Sequence, residues 1–436
     1  MIGIQLPNLT DYDPVKSAEG ALDPLGLYAI ADNLAIKLVP GIRERMSHPR
    51  FLTAIAVGAA INRDFEEDLL AADGQSEPYM VYEWHAVEGL YRKWGDNGLH
   101  GLPGILKTRD CVSQGLKLSA ARYLKTASVF GFHGVYRLLA NNLDIVRDGL
   151  LGDNGYELLS VWEKEQQLAG FLSGNNGNGC AVRSQIQVAI KDAIQKGHVD
   201  RSPTWQGWTF FGEHLFPNKI PDKERAIMAR MLISSKESSR NEVLRFLVSD
   251  NGQAAFTESM SEKAFHQSLY AEATEETKRL LKAIESYEIF CRLLQDAFDD
   301  CRVAMTDKRG RISPGELSGL QGCVSAIQKI PSIFNEVADH LESHGQLDRF
   351  LDGFNTFSDT CDAAEWVNLL LDHHIKVQRS KPPNGKNPWF ERFDDGSVVI
   401  RPAYRRSEGG RHDDSYVHMY RTNSLWTFAQ DLELVK

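Results

Sequence analysis

"TEETKRLLKAIESYEIFCRLLQDAFDDCRVAM", residues 274–305, carries the longest regular pattern in the chain. Leu280, Ile284, Tyr287, Cys291, Leu294, Phe298, Cys301 and Met305 recur at alternating steps of four and three, which lays one apolar seam along a single helix of about thirty residues. Thr274 is placed to cap it, and Glu275 and Glu276 follow. After a break at "DKRGRISPGE", the run "ELSGLQGCVSAIQKIPSIFNEVADHLESHG" predicts a second long helix, interrupted or kinked near Pro331. The two should fold back as an antiparallel hairpin. Its seam is either an internal core or a coupling arm for another subunit.

Outward from the hairpin the chain stays helical. "DPLGLYAIADNLAIKLVPGIRERM" predicts a helix with Asp23 as a cap and Pro24 in the first turn. "HPRFLTAIAVGAAINRDFEEDLL" follows as a helix whose Ala and Gly residues admit a close neighbour, and "EPYMVYEWHAVEGLYRKWGDNG" as a third, ending at Gly95 and Gly98. Next, "LSAARYLKTASVFGFHGVYRLLANNLDIVRDGLLGDNGYELLSVWEKEQ" parses as a helix over 119–126, a turn at Gly131 and a helix over 132–142. A strand over 144–147, a turn at Asp148-Gly149 and a helix from Asp153-Asn154 complete the order of a winged-helix-like unit. Val135, Leu138, Leu139, Leu143 and Ile145 are its expected small core.

"SGNNGNGCAVRS", residues 173–184, reads as a flexible boundary. Gly174 and Gly179 have phosphate-loop spacing, but Cys180 and Ala181 stand where that loop needs Lys and Ser or Thr. Two helices broken at Pro217 and Pro221 follow, with Trp205, Trp208, Phe210 and Phe211 as core and Asp222 and Glu224 at the second N-terminus. At the C-terminal end, "WFERFDDGSVVIRPAYRR" predicts a hairpin turning at Asp395-Gly396, and "SYVHMYRTNSLWTFAQDLELVK" a short strand and a closing helix. The expected fold class is mainly α, multi-domain, with a winged-helix-like unit, a long antiparallel helical hairpin and a small C-terminal α+β cap. Its segments are 1–100, an N-terminal helical subdomain; 101–172, the winged-helix-like unit; 180–272, an aromatic-rich helical region; 273–345, the hairpin; and 346–436, a basic loop, hairpin and helix.

A chain of 436 residues with 42% apolar residues has ample material for a core. "MIGIQLPNLTDYDPVKSAEG" lacks a basic start with an apolar run, and no stretch reaches the roughly 18 apolar residues of a membrane helix, so the chain is read as cytoplasmic with no membrane partner. The six cysteines form no C-x-x-C pair, which speaks for reduced thiols and against a zinc knuckle. A net charge of −10 excludes a wholly cationic nucleic-acid binder and leaves room for local basic patches. Residues 101–147 hold seven Lys/Arg against two acids, and residues 373–411 hold nine against four. On the winged-helix-like unit, Arg122, Lys125, Arg137 and Arg147 are the expected phosphate or base contacts. In "DHHIKVQRSKPPNGKNPWF", Lys376, Arg379, Lys381 and Lys386 form a basic loop suited to a phosphate backbone or an acidic partner, with Tyr404, Tyr416, His418, Tyr420 and Arg421 lining that face.

Catalytic and metal motifs fail on spacing. "HLESH" puts His340 and His344 one turn apart but lacks the metalloprotease acid and a third ligand, and reads as a solvated helix end. "MTDKRGRISPGE" mimics a calcium loop, yet Met305 and Arg309 occupy ligand positions. His373 and His374, with Asp372, Glu391, Asp394 and Asp395 near in sequence, could assemble a metal-dependent nuclease site, although no familiar nuclease spacing is met. No metal ligand set, cofactor or catalytic residue is therefore assigned.

"DPLGLYAIADNLAIKLVPGIRERMSHPRFLTAIAV", "LSAARYLKTASVFGFHGVYRLLA" and "HHIKVQRSKPPNGKNPWF" with "YVHMYR" are, together, similar to uncharacterised, mostly helical proteins encoded in bacterial phage-defence gene clusters. The resemblance spans most of the chain, rests on texture and carries no active site. It implies a multi-subunit assembly that senses or processes foreign DNA. The expected function is thus a non-catalytic, double-stranded-DNA-associated or scaffold subunit working with other protein subunits, a separate ATPase or nuclease among them. The alternatives are a metal-dependent nuclease at His373/His374 and a purely protein-binding adaptor.

Overall fold

The computed structural model describes residues 23–66, 69–234, 238–259, 261–382 and 384–435. The leader reading of residues 1–20 lies outside the described residues, as does Pro383 of the basic loop. The described residues are mainly helical, with two small two-stranded antiparallel sheets, so the protein is mainly α. Among the described residues no helix is long and apolar enough to cross a membrane. The described residues divide into two compact units, one of residues 23–34, 261–263 and 274–418, the other of residues 35–259, 264–273 and 419–435. Residues 173–184 lie inside the second unit, not at a boundary between the two, and from Asn178 they are the first turns of the helix Asn178–Lys196.

In the first unit the predicted seam forms the helix Glu275–Lys308, with Thr274 at its N-cap position. All eight seam residues are buried, so the seam is an internal core and not an arm awaiting a partner. Its partner is Gln321–Glu342. The pair is antiparallel: Ser286 Oγ meets His340 Nδ1 at 3.1 Å, the rings of Phe290 and Phe334 lie 6.1 Å apart, and the Cys301 and Cys323 thiols approach to 3.5 Å. Two expectations need correction. The second helix does not begin at Glu316, because Ser313 and Glu316 close a reciprocal capping box on a separate short helix, Pro314–Ser318. Nor is it interrupted at Pro331, which sits inside the continuous helix.

The predicted C-terminal hairpin is present, with Phe390–Arg392 paired antiparallel to Val398–Ile400 in the register Phe390↔Ile400. Ile312 adds a bridge to Val398. The expected strand in "SYVHMYR" is absent: residues 405–418 run without regular structure along the helix Glu275–Lys308 and are held by its side chains. Glu288, Arg292, Asp296 and Asp300 recur every four residues and so share a helix face. Glu288 accepts the amides of Val417 and His418; Arg292 donates to the carbonyls of Ser415 (3.0 Å) and Tyr416 (2.9 Å). Asp296 accepts the amides of Arg411 and His412 at 3.1 Å each, and Asp300 that of Gly410 at 2.8 Å. Polar side chains thus supply the backbone partners that a second strand would have given.

The second unit is built on the helix Phe51–Asn62, whose residues 51–61 are all buried. It touches the helices Pro78–Trp94, Phe132–Asn142, Asp153–Glu165 and Asn178–Lys196. Gly58 makes the first contact possible, since a Cβ there would stand 2.7 Å from the Tyr82 ring. Trp208, Phe210 and Phe211 are buried as expected, while Trp205 is half-buried with its indole edge-on to Trp208 at 4.9 Å. One ion pair lies wholly inside: Arg50 meets both carboxylate oxygens of Glu224 at 3.1 and 3.2 Å and donates to the carbonyls of Phe216 and His214. Thr53 supplies a further bond to Glu224 at 2.7 Å.

Both sets of contacts can be tested through stability. Arg50→Ala leaves the Glu224 carboxylate buried without its guanidinium and should cost about 3–5 kcal/mol in urea unfolding. Asp296→Ala removes the acceptor for two backbone amides; local opening of residues 410–412 should become easier by roughly 2 kcal/mol, a rise of about 30-fold in amide exchange there with global stability less affected.

Candidate nucleic-acid interface

The segment predicted to resemble a winged helix keeps its order but not its first helix. A 3₁₀ turn at Ala120–Arg122 and a four-residue helix at Ala127–Phe130 replace the helix expected over 119–126. Tyr123 is the reason, because its buried hydroxyl donates to Glu83 at 2.7 Å and draws the chain inward between the two pieces. The second helix, Phe132–Asn142, is as predicted. A two-residue strand pair, Val146–Arg147 with Leu150–Leu151, turns through Asp148 and Gly149, both with positive φ, as a type I′ turn requires. The helix Asp153–Glu165 follows. Of the expected small core, Val135, Leu139, Leu143 and Ile145 are buried, but Leu138 is 39% exposed; Phe132 and Tyr136 fill the interior instead.

Glu83, on Pro78–Trp94, fixes the N-terminus of the second helix. Its carboxylate accepts the amides of Phe132 (3.2 Å) and His133 (3.0 Å). Gly131 lets it come close, since a Cβ at that position would overlap the carboxylate. Burial pushes Glu83 up to about 7, against the opposing bonds from His133, Tyr123 and Phe132. The positive end of the helix is therefore occupied by an internal acid, and the helix meets solvent through Arg137, Leu138 and Asn141. Arg122 and Lys125 are exposed on the preceding turn, and Arg147 is exposed on the strand pair. Arg147 pairs with Asp144 at 2.7 Å, which offsets its charge, whereas Arg122 makes a long bond, 3.4 Å, to the Lys117 carbonyl.

The C-terminal basic residues lie in the first unit and divide differently. Lys376 and Arg379 lie on the helix Ala363–Ser380, and both are exposed. Lys381 is half-buried and donates to the Asp23 carbonyl at 2.7 Å, while the half-buried Lys386 closes the turn through its amide on Gln378 at 2.9 Å. Lys381 thus commits its ammonium to the loop, whereas Lys386 holds the loop by its backbone. Trp389, beyond them, is sandwiched by Tyr404 (centroids 4.9 Å apart, planes at 7°) and the Arg302 guanidinium (4.6 Å). Together with Pro24, Gln295 and Arg406 they border a cavity of about 320 Å³. Of the other residues expected to line this face, Tyr416 and His418 lie at the far end of the 405–418 segment, and Tyr420 and Arg421 belong to the second unit.

His373 and His374 do not face solvent. His373 Nε2 bonds the Leu25 carbonyl at 2.7 Å. His374 donates from Nδ1 to the Pro24 carbonyl (2.9 Å) and accepts the Trp389 amide on Nε2 (3.1 Å), so both ring nitrogens are engaged by backbone. Burial lowers His374 to about 3 and keeps it neutral. Asp372 pairs with Arg392 and is not turned toward the histidines' nitrogens. His340 is half-buried against Ser286 and not a solvated helix end. In the calcium-like stretch, Glu316 is taken by Ser313 and Lys308. One cluster has no signature in the sequence: Glu288, Cys291 and His418 bring their donor atoms within 4.8 Å of one another. Glu288 and Cys291 share a helix face, but His418 is 127 residues beyond Cys291 (418 − 291), and nothing local announces it.

No family model, no curated protein and no solved structure matches this chain.

Glu83 provides a pH test. Its folded value lies above the ordinary 4.5, so its contribution to stability is complete below about 4.5 and is lost as pH rises through about 7. Glu83→Gln keeps an oxygen acceptor and cannot ionise. Between pH 5 and 8 the stability of the variant relative to the parent should therefore rise, by up to roughly 3 kcal/mol, in parallel urea titrations.

Proposed function

We propose that this chain is a non-catalytic, double-stranded-DNA-associated or scaffold subunit of a bacterial anti-phage defence assembly, working with a separate ATPase or nuclease. The observation that carries the DNA half is the set Arg122, Lys125 and Arg137, exposed on a short segment whose second helix is anchored from beneath by Glu83. Cations held by a rigid base can neutralise phosphates without ordering a loop first. Because the N-terminus of that helix is occupied by Glu83, contact would run along its flank at Arg137 and through the preceding turn, a backbone-positioning mode in place of end-on base reading. The assembly context comes from the resemblance to phage-defence proteins. The non-catalytic reading is supported by His373 and His374, the best hydrolytic candidates in sequence, being engaged by backbone groups.

A second reading, a protein-binding adaptor, is favoured by the apolar residues exposed on the same segment. Val129, Phe130, Leu138 and Leu150 are 39–56% exposed, with Arg45 stacked 4.7 Å over Phe130. The hairpin seam does not support that role, because it is buried within its own unit.

Fluorescence anisotropy with a labelled duplex over a salt series separates the two. With Arg122, Lys125 and Arg137 each neutralising one phosphate, log affinity should fall with log salt at a slope of about −3, and the variant Arg122→Glu, Lys125→Glu, Arg137→Glu should lose most of the binding. Absence of duplex binding by a folded parent protein would sink the DNA reading.

A further inference from the structure

We propose that Glu288, Cys291 and His418 form a binding site for a divalent transition-metal ion, with zinc the best match. None of these residues belongs to the candidate nucleic-acid interface, so the two assignments stand or fall separately.

Position comes first. Residues 288 and 291 are three apart on the helix Glu275–Lys308, so a carboxylate and a thiol rise from one face. The 405–418 segment delivers the imidazole, with His418 Nδ1 at 2.7 Å from Glu288 Oε1. All three donor atoms fall within 4.8 Å of one another, a spacing that small side-chain adjustments convert to ligation at about 2.0–2.3 Å from a central ion. Glu288 and Cys291 are 1% and 0% exposed. The second oxygen of Glu288 accepts the amides of Val417 and His418, which orients the carboxylate as outer-shell bonds orient metal ligands.

Donor chemistry selects the ion. A thiolate, an imidazole and a carboxylate suit zinc and its mimic cobalt, and not the all-oxygen preference of calcium or magnesium. Burial, with the Glu288 charge beside it, pushes the Cys291 thiol well above its usual range, so the ion-free protein holds that proton. On binding, the S–H bond breaks, the sulfur–metal bond forms and that proton leaves to solvent; the Nδ1 hydrogen that His418 shares with Glu288 is also released while Nε2 takes one up, so the imidazole stays neutral and its Nδ1 lone pair is free for the ion. Two anionic donors then cancel the charge of the ion, and the buried site becomes neutral. Three protein donors leave one tetrahedral position for a solvent oxygen. The metal would fasten the end of the 405–418 segment to the helix that the other side chains already hold.

The test uses the full chain, stripped with a chelator and reloaded with zinc or cobalt. Expected are about one ion per chain by elemental analysis and, with cobalt, a thiolate charge-transfer band accompanied by the intense visible bands of a tetrahedral site. Cys291→Ser and, separately, His418→Gln should each lower metal affinity by more than about tenfold, whereas Cys180→Ser, on a half-exposed thiol of the other unit, should change nothing. His418→Gln lies at the end of the irregular segment and keeps the site testable if Cys291→Ser misfolds. Failure of the folded parent to retain a stoichiometric ion, or undiminished binding and an unchanged cobalt spectrum in folded His418→Gln, would overturn the assignment.

Discussion

Acidic side chains that accept backbone amides hold this protein's helix N-termini and irregular segments in place. The first amides of a helix have no intrahelical partner, and each buried N–H outside the helices needs an acceptor as well. Carboxylates supply it repeatedly. Glu83 takes the amides of Phe132 and His133, Glu163 those of Gly170 and Leu172, and Glu165 those of Lys223 and Glu224. Asp23 takes Leu27 and Tyr28, and Asp296 takes Arg411 and His412. Where the acid is ionised, such charge-assisted bonds are roughly twice as strong as neutral ones.

That use of acids changes the meaning of the net charge of −10. Glu83, Glu224, Glu288, Asp296 and Asp299 are all buried, so part of the acidic excess is internal and does not reach a ligand as surface potential. Arg50 and Arg292 are buried with them as partners. The charge that acts at a distance belongs to the exposed groups, and a local cationic segment is compatible with an acidic chain for this reason.

Legibility in the sequence tracks the range of the interaction involved. The seam from Leu280 to Met305 is readable because helical periodicity is a property of neighbours, and the Asp395-Gly396 hairpin because its turn chemistry is local. The helix expected over 119–126 does not form because Tyr123 answers to Glu83, forty residues earlier in the chain (123 − 83), and this tertiary bond overrides local propensity. The row Glu288, Arg292, Asp296 and Asp300 resembles any solvated helix face until residues 405–418 are laid on it. His373 and His374 mislead in the opposite sense: adjacent histidines among charged residues look like ligands, yet in the helix Ala363–Ser380 both turn inward, His373 against Phe354 and Phe357 and His374 against Phe298 and Trp389.

The two basic regions, equal in net charge by sequence, are unequal in what they offer a polyanion. In the C-terminal region Lys381 is drawn to a backbone carbonyl, Arg392 to Asp372 and Asn368, and Arg406 to Asp299, so these cations are engaged in holding their own loops. Releasing them to a phosphate would break those bonds, which sets an internal cost against each new contact. Arg122, Lys125 and Arg137 carry little such commitment, while Arg147 returns part of its charge to Asp144. Binding energy toward a phosphate backbone therefore concentrates on the former three and, in the C-terminal region, on the exposed Lys376 and Arg379, because a cation contributes to recognition only to the extent that the fold does not already require it.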